Sequence, residues 1–383
     1  MPREFDIVVY GASGYTGRLV AEYLVSHGGD VIWAMAGRSA DRLAEVRDLV
    51  GVRVDTPLIV ADADDSEALT ALAQRAAVVL TTAGPYQFYG DKLLAACAKA
   101  GTDYVDLTGE SNWIARMIAA HEVAAKKSGA RVVFSCGFDS VPFDLGVWFV
   151  QNEAKKAFGA YAPRVRGRVR AINGGLSGGT MASGAATAAA IRKDPSIGAL
   201  LADPFALTPG FRGPAQPDLN AAYEDKVTGS WVAPFMMASI NTKAVHRSNF
   251  LLDHLWGRDF VYDEMSMTGG PDAASAAGFS FGSPLKPGEG PTKEEREAGF
   301  YDLLFIAEYP DGRTLRASVK GDRDPGYGST SKIIAECAIC LARDIGRDRV
   351  PGGCWTSSSA MGEALLVRLQ AGAGLTFAVE GRG

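Results

Sequence analysis

The chain opens on short apolar runs that alternate with longer stretches of helical spacing. Phe5–Tyr10 is a β-branched run. In Thr16–Ser26 the apolar positions Leu19, Val20, Tyr23 and Leu24 recur at helical intervals. Further strand-sized runs follow at Val31–Ala36, Leu58–Ala61, Val78–Thr82, Tyr104–Leu107 and Arg131–Ser135. The stretches between them, Asp41–Val50, Ser66–Gln74, Gly90–Lys99 and Trp113–Lys127, read as helices. Strands that are apolar on both faces and alternate with helices predict a parallel sheet covered on both sides. Residues 1–143 are therefore expected to form a Rossmann-like, doubly wound α/β domain.

The pattern changes at Asp144. A helix is predicted over Leu145–Phe158, and Arg164–Arg170 then alternates at period two, a strand signal. Thr180–Arg192 is rich in Ala and Gly and reads as a closely packed helix. Two Pro/Gly-rich stretches, Asp194–Leu219 and Thr268–Pro291, flank strand-like Met237–Val245 and Phe260–Met267, and loops of that length can cover a site. Thr292-x-x-Glu295 has the form of a capping box. Tyr301–Glu308, the Pro310-Asp311-Gly312 turn and Thr314–Lys320 predict a hairpin. Residues 144–325 thus read as a second, α+β domain with a mainly antiparallel sheet. Helices at Lys332–Asp344 and Ala360–Leu369 and a strand at Leu375–Val379 complete the segment 326–383.

Composition narrows the functions open to such a chain. A length of 383 residues suits two or three domains. With 39 basic and 44 acidic residues the net charge is −5, which disfavours nucleic-acid binding. No apolar run approaches the ~20 residues of a membrane span. The N-terminus enters its first strand without a signal-peptide core, so a cytoplasmic protein is expected. Five cysteines are an odd, sparse set that fits a reducing compartment. Cys337-x-x-Cys340 lies within a helical run and lacks a second pair or nearby His, so no metal site is expected.

The sharpest motif is Gly11-Ala12-Ser13-Gly14-Tyr15-Thr16-Gly17, between the first strand and the first helix. Gly11 permits a sharp turn, Gly14 lets the backbone approach a pyrophosphate, and Gly17 lets helix and strand pack closely. Free N–H groups of the helix start then face the phosphates, with Ser13, Tyr15 and Thr16 in the same turn. An NAD site would place a carboxylate at the end of the second strand. Here the residues are Arg38 and Ser39, a guanidinium fork and a hydroxyl suited to a 2′-phosphate, which predicts NADP(H). Asp62, ending the third strand, would neighbour the adenine. Ala83, Gly84 and Pro85, ending the fourth, would approach the nicotinamide, and Tyr86 is the first side chain placed to meet a substrate.

Beyond these, two runs stand out: Cys97-Ala-Lys-Ala-Gly101-Thr-Asp-Tyr104-Val-Asp106-Leu-Thr-Gly109-Glu110 and Gly137-Phe138-Asp139-Ser140-Val-Pro142-Phe-Asp144-Leu-Gly146. They resemble the saccharopine-dehydrogenase-like oxidoreductases. Ser177-Gly-Gly-Thr180, Asp324-Pro-Gly-Tyr327-Gly and Gly352-Gly-Cys-Trp-Thr356 with Ala360-Met-Gly362 are similar to one branch, the trans-acting enoyl reductases of polyketide-type lipid synthesis. The resemblance implies C-terminal helices that return to the nucleotide domain. It also implies a middle segment that binds substrate and forms a homodimer, and NADPH-dependent reduction of an α,β-unsaturated acyl thioester.

That chemistry needs a held hydride donor, a polarised carbonyl and a proton for the α-carbon. Candidate donors are Tyr86, Asp139 and Lys243, the last in the strand expected over Ile240–Val245. Each has an alternative: Tyr86 as packing on the nicotinamide, Asp139 as a cap of the Gly137 turn or the next helix, Lys243 as a solvated lysine. Phe205, Leu207, Phe211, Trp231, Phe235, Met236, Met237, Phe279 and Phe281 are the expected lining for a hydrophobic acyl chain. Arg164, Arg166, Arg168 and Arg170 share one strand face and could engage an acidic carrier protein or a coenzyme A phosphate, or pair with nearby acids. Two further readings stay open, an imine or amino-acid dehydrogenase of the saccharopine kind and a non-catalytic NADP-binding scaffold.

Overall fold

The computed structural model describes residues 3–174, 178–270 and 289–383; Ser177, Phe279 and Phe281 lie outside them. Two seven-stranded sheets organise the chain. In the first, β1 (Phe5–Tyr10), β2 (Trp33–Gly37), β3 (Leu58–Val60), β4 (Ala76–Thr81), β5 (Asp103–Val105) and β6 (Arg131–Val133) follow the expected alternation with helices. The sheet order is β13-β6-β5-β4-β1-β2-β3, with every pairing parallel. The seventh strand, β13 (Gly353–Trp355), comes from the far end of the chain and extends the six-strand expectation.

Helices α1 (Tyr15–His27) and α2 (Ala40–Leu49) follow β1 and β2, and α3 (Ser66–Arg75) follows β3. Then come a four-residue α4 (Tyr86–Tyr89), α5 (Asp91–Ala100) and α6 (Ser111–Ser128). Residues of α3, α5 and α6 build one apolar layer with Val8, Val79, Tyr104 and Val132 of the strands. The opposite layer, around Ile7, Val9, Val78 and Leu80, continues without a break into the second sheet.

That continuity is made by α7 (Val141–Phe158), which leaves β6 and packs on the second sheet. Gly146 of α7 is the contact point, since a Cβ there would lie 2.3 Å from the Phe305 ring. The second sheet has the order β14-β12-β11-β7-β10-β9-β8. Its members are β7 (Arg164–Asn173), β8 (Tyr223–Asp225), β9 (Ser230–Pro234), β10 (Val261–Thr268), β11 (Phe300–Glu308), β12 (Thr314–Gly321) and β14 (Leu375–Arg382). All pairings are antiparallel except β10 with β7. Between the strands run α8 (Gly178–Lys193), α9 (Ser196–Ala202), α10 (Ala238–Leu251) and α11 (Lys293–Ala298), the last carrying the expected Thr292–Glu295 capping box. The chain closes through α12 (Thr330–Arg343) and α13 (Ser357–Arg368). α12 packs on α1, β4 and β1 of the first sheet, whereas β14 joins the second.

One expectation fails here, and one open alternative resolves in favour of pairing with nearby acids. Met237–Val245 is not a strand; α10 occupies 238–251 and carries Lys243. Its buried positions include Asn241, Lys243, Arg247, Ser248 and Asn249, so the inward face is largely polar and the apolar periodicity of a helix is absent. Tertiary partners satisfy that face: Arg247 donates to the carbonyls of Leu207 and Cys354 (both 2.6 Å), and Asn249 binds Gly257 and Trp256. The arginine stripe on β7 is not a free docking surface either. Arg168 is fully buried against Asp225 and Asp263 (both 2.8 Å), Arg164 pairs with Asp263, Arg166 with Glu308, and Arg170 with Asp302 and Glu380. Guanidiniums already neutralised in this way leave no charge for a carrier. Among the described residues no helix is long and apolar enough to cross a membrane.

A buried ion pair fixes the join between the first sheet and the returning C-terminal segment. Arg131 Nε donates to Asp103 Oδ2 (2.9 Å), while its two terminal nitrogens reach the carbonyls of Ile345 (2.6 Å) and Leu341 (2.8 Å). Both side chains are nearly inaccessible to water. Asp103→Ala leaves the guanidinium buried without its counter-charge and is expected to cost about 3–5 kcal/mol, read as a lowered midpoint in urea unfolding.

Candidate active site

At the C-terminal edge of the first sheet the chain turns tightly from β1 into α1. Gly11 has φ +85°, in the left-handed region, and a Cβ there would meet Thr82 Oγ1 at 3.0 Å and Ala83 N at 3.2 Å. A Cβ at Gly17 would lie 2.2 Å from the Gly11 carbonyl oxygen, so α1 seats on the turn only because this residue is glycine. Gly14 is the N-cap. No side chain caps the helix and no acidic residue stands in its first turn, which leaves the opening N–H groups and the helix dipole to an anion.

Around this turn the expected contacts divide. Thr16 faces the cavity described below, and Ser13 lies beside Gly37 at the end of β2. Tyr15 sends its ring elsewhere. It meets Tyr327 edge-on at 4.6 Å, accepts from Arg296 Nη1 (2.6 Å) and donates to the Pro291 carbonyl, so its side chain clasps the segment before α11. Arg38 is exposed at the end of β2, and among the described residues no carboxylate pairs with it. Ser39 Oγ accepts the Arg42 N–H as the cap of α2, and Asp62 Oδ1 accepts the Asp64 N–H. Burial, reinforced by Asp62 and opposed by Arg38, pushes the Tyr10 hydroxyl up to about 12, which puts both charges beside that ring. The uncapped helix start, the glycine cradle and the unpaired Arg38 fit a dinucleotide bearing a 2′-phosphate.

Thr16, Thr82 and Gly84 lead from this groove into a cavity of about 750 Å³. Its walls are largely apolar: Leu107, Phe138 and Ile172 on one side, and Met181, Ile191 and Ile240 on the other. Among its described lining residues there is no Lys, Arg or His. Three ionisable side chains reach it: Tyr86, Glu110 and Asp139.

Two of the three are committed to the backbone. The Tyr86 hydroxyl donates to the Thr81 carbonyl and accepts the Leu107 N–H (both 3.0 Å), tying the ends of β4 and β5 together; burial holds its proton well above the usual phenol range. Glu110 accepts the N–H groups of Tyr86 and Gln87 (both 2.8 Å) at the start of α4, just after the Gly84–Pro85 peptide. Asp139 differs from both. Among the described residues nothing donates to its carboxyl, and desolvation raises its pKa to about 6. It does not cap α7, whose N-cap is Ser140 and which has no side-chain cap.

The third proposed donor, Lys243, does not line the cavity. Its ammonium donates to the carbonyls of Leu201 (2.7 Å) and Ser239 (2.6 Å), and burial lowers its pKa to about 8. Neighbouring His246 is buried against Phe205 and is held neutral, at about 3. Of the expected apolar lining, Phe235, Met236 and Met237 reach the cavity; Phe205, Leu207, Phe211 and Trp231 do not. Sequence reading missed Glu110, Gln87 and the wall formed by α8. The available signal was the absence of charge in α8 from 178 to 191.

Comparison with known proteins places this geometry. The saccharopine dehydrogenase NADP binding domain family matches residues 7–133. A Mycobacterium tuberculosis protein carrying the provisional name trans-acting enoyl reductase is 40% identical, covering 97% of this chain and 96% of its own. A trans-acting enoyl reductase of Mycobacterium bovis is 37% identical over 98% and 97% of the two chains. Among solved structures, saccharopine dehydrogenase (L-Glu forming) of Saccharomyces cerevisiae aligns with a TM-score of 0.58, covering 98% of this chain and 99% of its own at 10% identity, a likeness of fold alone.

Arg38→Ala removes the charged fork from the end of β2. Affinity for NADPH is expected to fall about 10- to 100-fold while affinity for NADH stays unchanged, measured by titrating each nucleotide against intrinsic fluorescence.

Proposed function

The chain belongs to the trans-acting enoyl reductase branch of the saccharopine-dehydrogenase-like, NADP-dependent oxidoreductases, and from that premise we propose that it reduces the carbon–carbon double bond of an α,β-unsaturated acyl thioester during lipid or polyketide assembly. One observation carries the substrate reading. The cavity beside the glycine turn is apolar, lacks a cationic side chain among its described lining, and holds a single unengaged carboxyl, Asp139. The carboxylates of an amino-acid or dicarboxylate substrate would find no cation among the described lining residues, at a cost of several kcal/mol per ion; a thioester group brings no such charge. The relatives' trans-acting name is the ground for placing that thioester on a separate carrier. In this reading residues 1–143 hold the cofactor, 144–325 enclose the acyl group, and 326–383 lock the two together.

NADPH bound along the turn would supply the hydride. The amides at the start of α1 would hold its pyrophosphate and Arg38 its 2′-phosphate, while Thr82 and Gly84 line the cavity beside them. The apolar walls exclude water and align the acyl group. As electrons arrive at the β-carbon, charge builds on the thioester enolate, and the α-carbon needs a proton. The protonated Asp139 carboxyl delivers it and is left as a carboxylate that solvent reprotonates. A pKa near 6 leaves a useful fraction of donor form near neutrality.

Mixing the protein with NADPH and a series of trans-2-enoyl thioesters, while following loss of reduced-nicotinamide absorbance, tests the reaction. Oxidation by no member of the series would refute it. Asp139→Asn is expected to lower kcat about 10²- to 10⁴-fold with NADPH affinity retained. The wild-type rate should fall as pH rises through about 6, because the donor form is lost, and this limb should vanish in the variant.

The same group predicts a stability effect. The folded state holds the Asp139 proton more tightly than the unfolded chain, so its ionisation costs stability above about pH 6 and costs nothing below the unfolded value of 3.8. Asp139→Asn should therefore raise the thermal midpoint at pH 8 and leave it unchanged at pH 3.5.

A further inference from the structure

Helix α8 forms one wall of the cavity with little apolar anchorage of its own. Along its length Gly178 and Ala186 are the buried residues, and its larger side chains, Met181 and Ile191, face the cavity. Its fixed points are polar. Ser183 and Thr187 are four residues apart and so share a helix face. Ser183 Oγ donates to Glu110 Oε1 (2.8 Å), and Thr187 Oγ1 accepts from Gln87 Nε2 (3.1 Å). At the start of the helix the Gly178 N–H donates to the Tyr327 hydroxyl (2.9 Å), whose ring packs on Tyr15 of the glycine turn.

Each of these partners belongs to the cofactor side. The Glu110 carboxylate that takes the Ser183 hydroxyl also holds the N–H groups of Tyr86 and Gln87, next to Gly84 and Pro85. Gln87 is itself oriented by Asn112, whose Nδ2 donates to Gln87 Oε1 at 2.9 Å. One buried carboxylate thus joins the turn that flanks the cavity entrance to the wall that faces the acyl group.

We infer that Glu110 and Gln87 are positioning residues: they seat α8 on the cofactor-side turn, so that the acyl wall and the nicotinamide end are placed as one unit. The inference deepens the enoyl thioester reading and rests on it for its kinetic test, though not for its structural one. Neither residue transfers a proton. They act by fixing the distance between the two reacting partners, where small displacements cost rate.

The test breaks the links from the α8 side, leaving the turn untouched. The Ser183→Ala/Thr187→Val double variant should lose about tenfold in kcat on an enoyl thioester, the order expected for two lost hydrogen bonds. Its NADPH affinity should stay within about twofold of wild type and its thermal midpoint should fall only slightly, by about 1–3 °C. Hydrogen exchange in α8 should quicken about tenfold or more. Gln87→Met, which deletes the Thr187 link from the opposite side, should give the same exchange signature, and Ser183→Thr, with Thr187 intact, should keep the wild-type rate. Wild-type kcat in the double variant, or equal loss of cofactor affinity and kcat, would overturn the inference. If the wild-type protein reduces no enoyl thioester, the substrate reading fails by itself. Unchanged α8 exchange in the double variant overturns the seating independently of substrate.

Discussion

The missing side chain at Gly17 is the contact on which the rest of the molecule depends. With a Cβ only 2.2 Å from the Gly11 carbonyl there would be no room for α1 to settle on the turn, and its opening N–H groups would no longer converge beyond the sheet edge. Because they do converge, they present a fixed anion-binding position relative to β1 and β4. The neighbouring strand ends flank that position: Arg38 follows β2 on one side, and the Thr82–Pro85 turn follows β4 on the other.

The second sheet contributes through buried polar joints as much as through apolar packing. Asp144 of α7 accepts from Ser248 of α10, from the Ser357 hydroxyl and from the Ser358 N–H at the start of α13. Burial raises its pKa, and the three donors oppose that rise by stabilising the anion. Arg247 spans from α10 to the Leu207 and Cys354 carbonyls. Such joints are directional where hydrophobic contacts are not, and they hold three chain segments in one arrangement around the cavity.

Legibility in the sequence followed the same division. The strands and the longer helices of the first six βα units were readable, because strands buried on both faces and amphipathic helices carry distinct periods, whereas the four-residue α4 is too short to show one. The glycine turn and Arg38 were equally plain, since backbone conformation and charge type are written in single residues. α10 was misread, because its inward face is built of Asn241, Lys243, Arg247 and Asn249, and no apolar period marks a polar buried face. β13 was invisible as a strand: three residues, Gly353–Trp355, carry no pattern. Tyr86 lines the cavity, but its two backbone partners could not be foreseen from spacing. Asp139 was recognisable as a carboxylate after β6, while its isolation from donors is a property of the assembled walls.

The lack of a cationic side chain among the described lining residues of the cavity has a consequence for what can enter it. An ionised fatty acid would have to surrender its hydration to enter, with no cation among the described lining residues to compensate. Were the substrate the proposed thioester, its hydrolysed acid would be a poor competitor, and a pool of free acids could accumulate without throttling turnover.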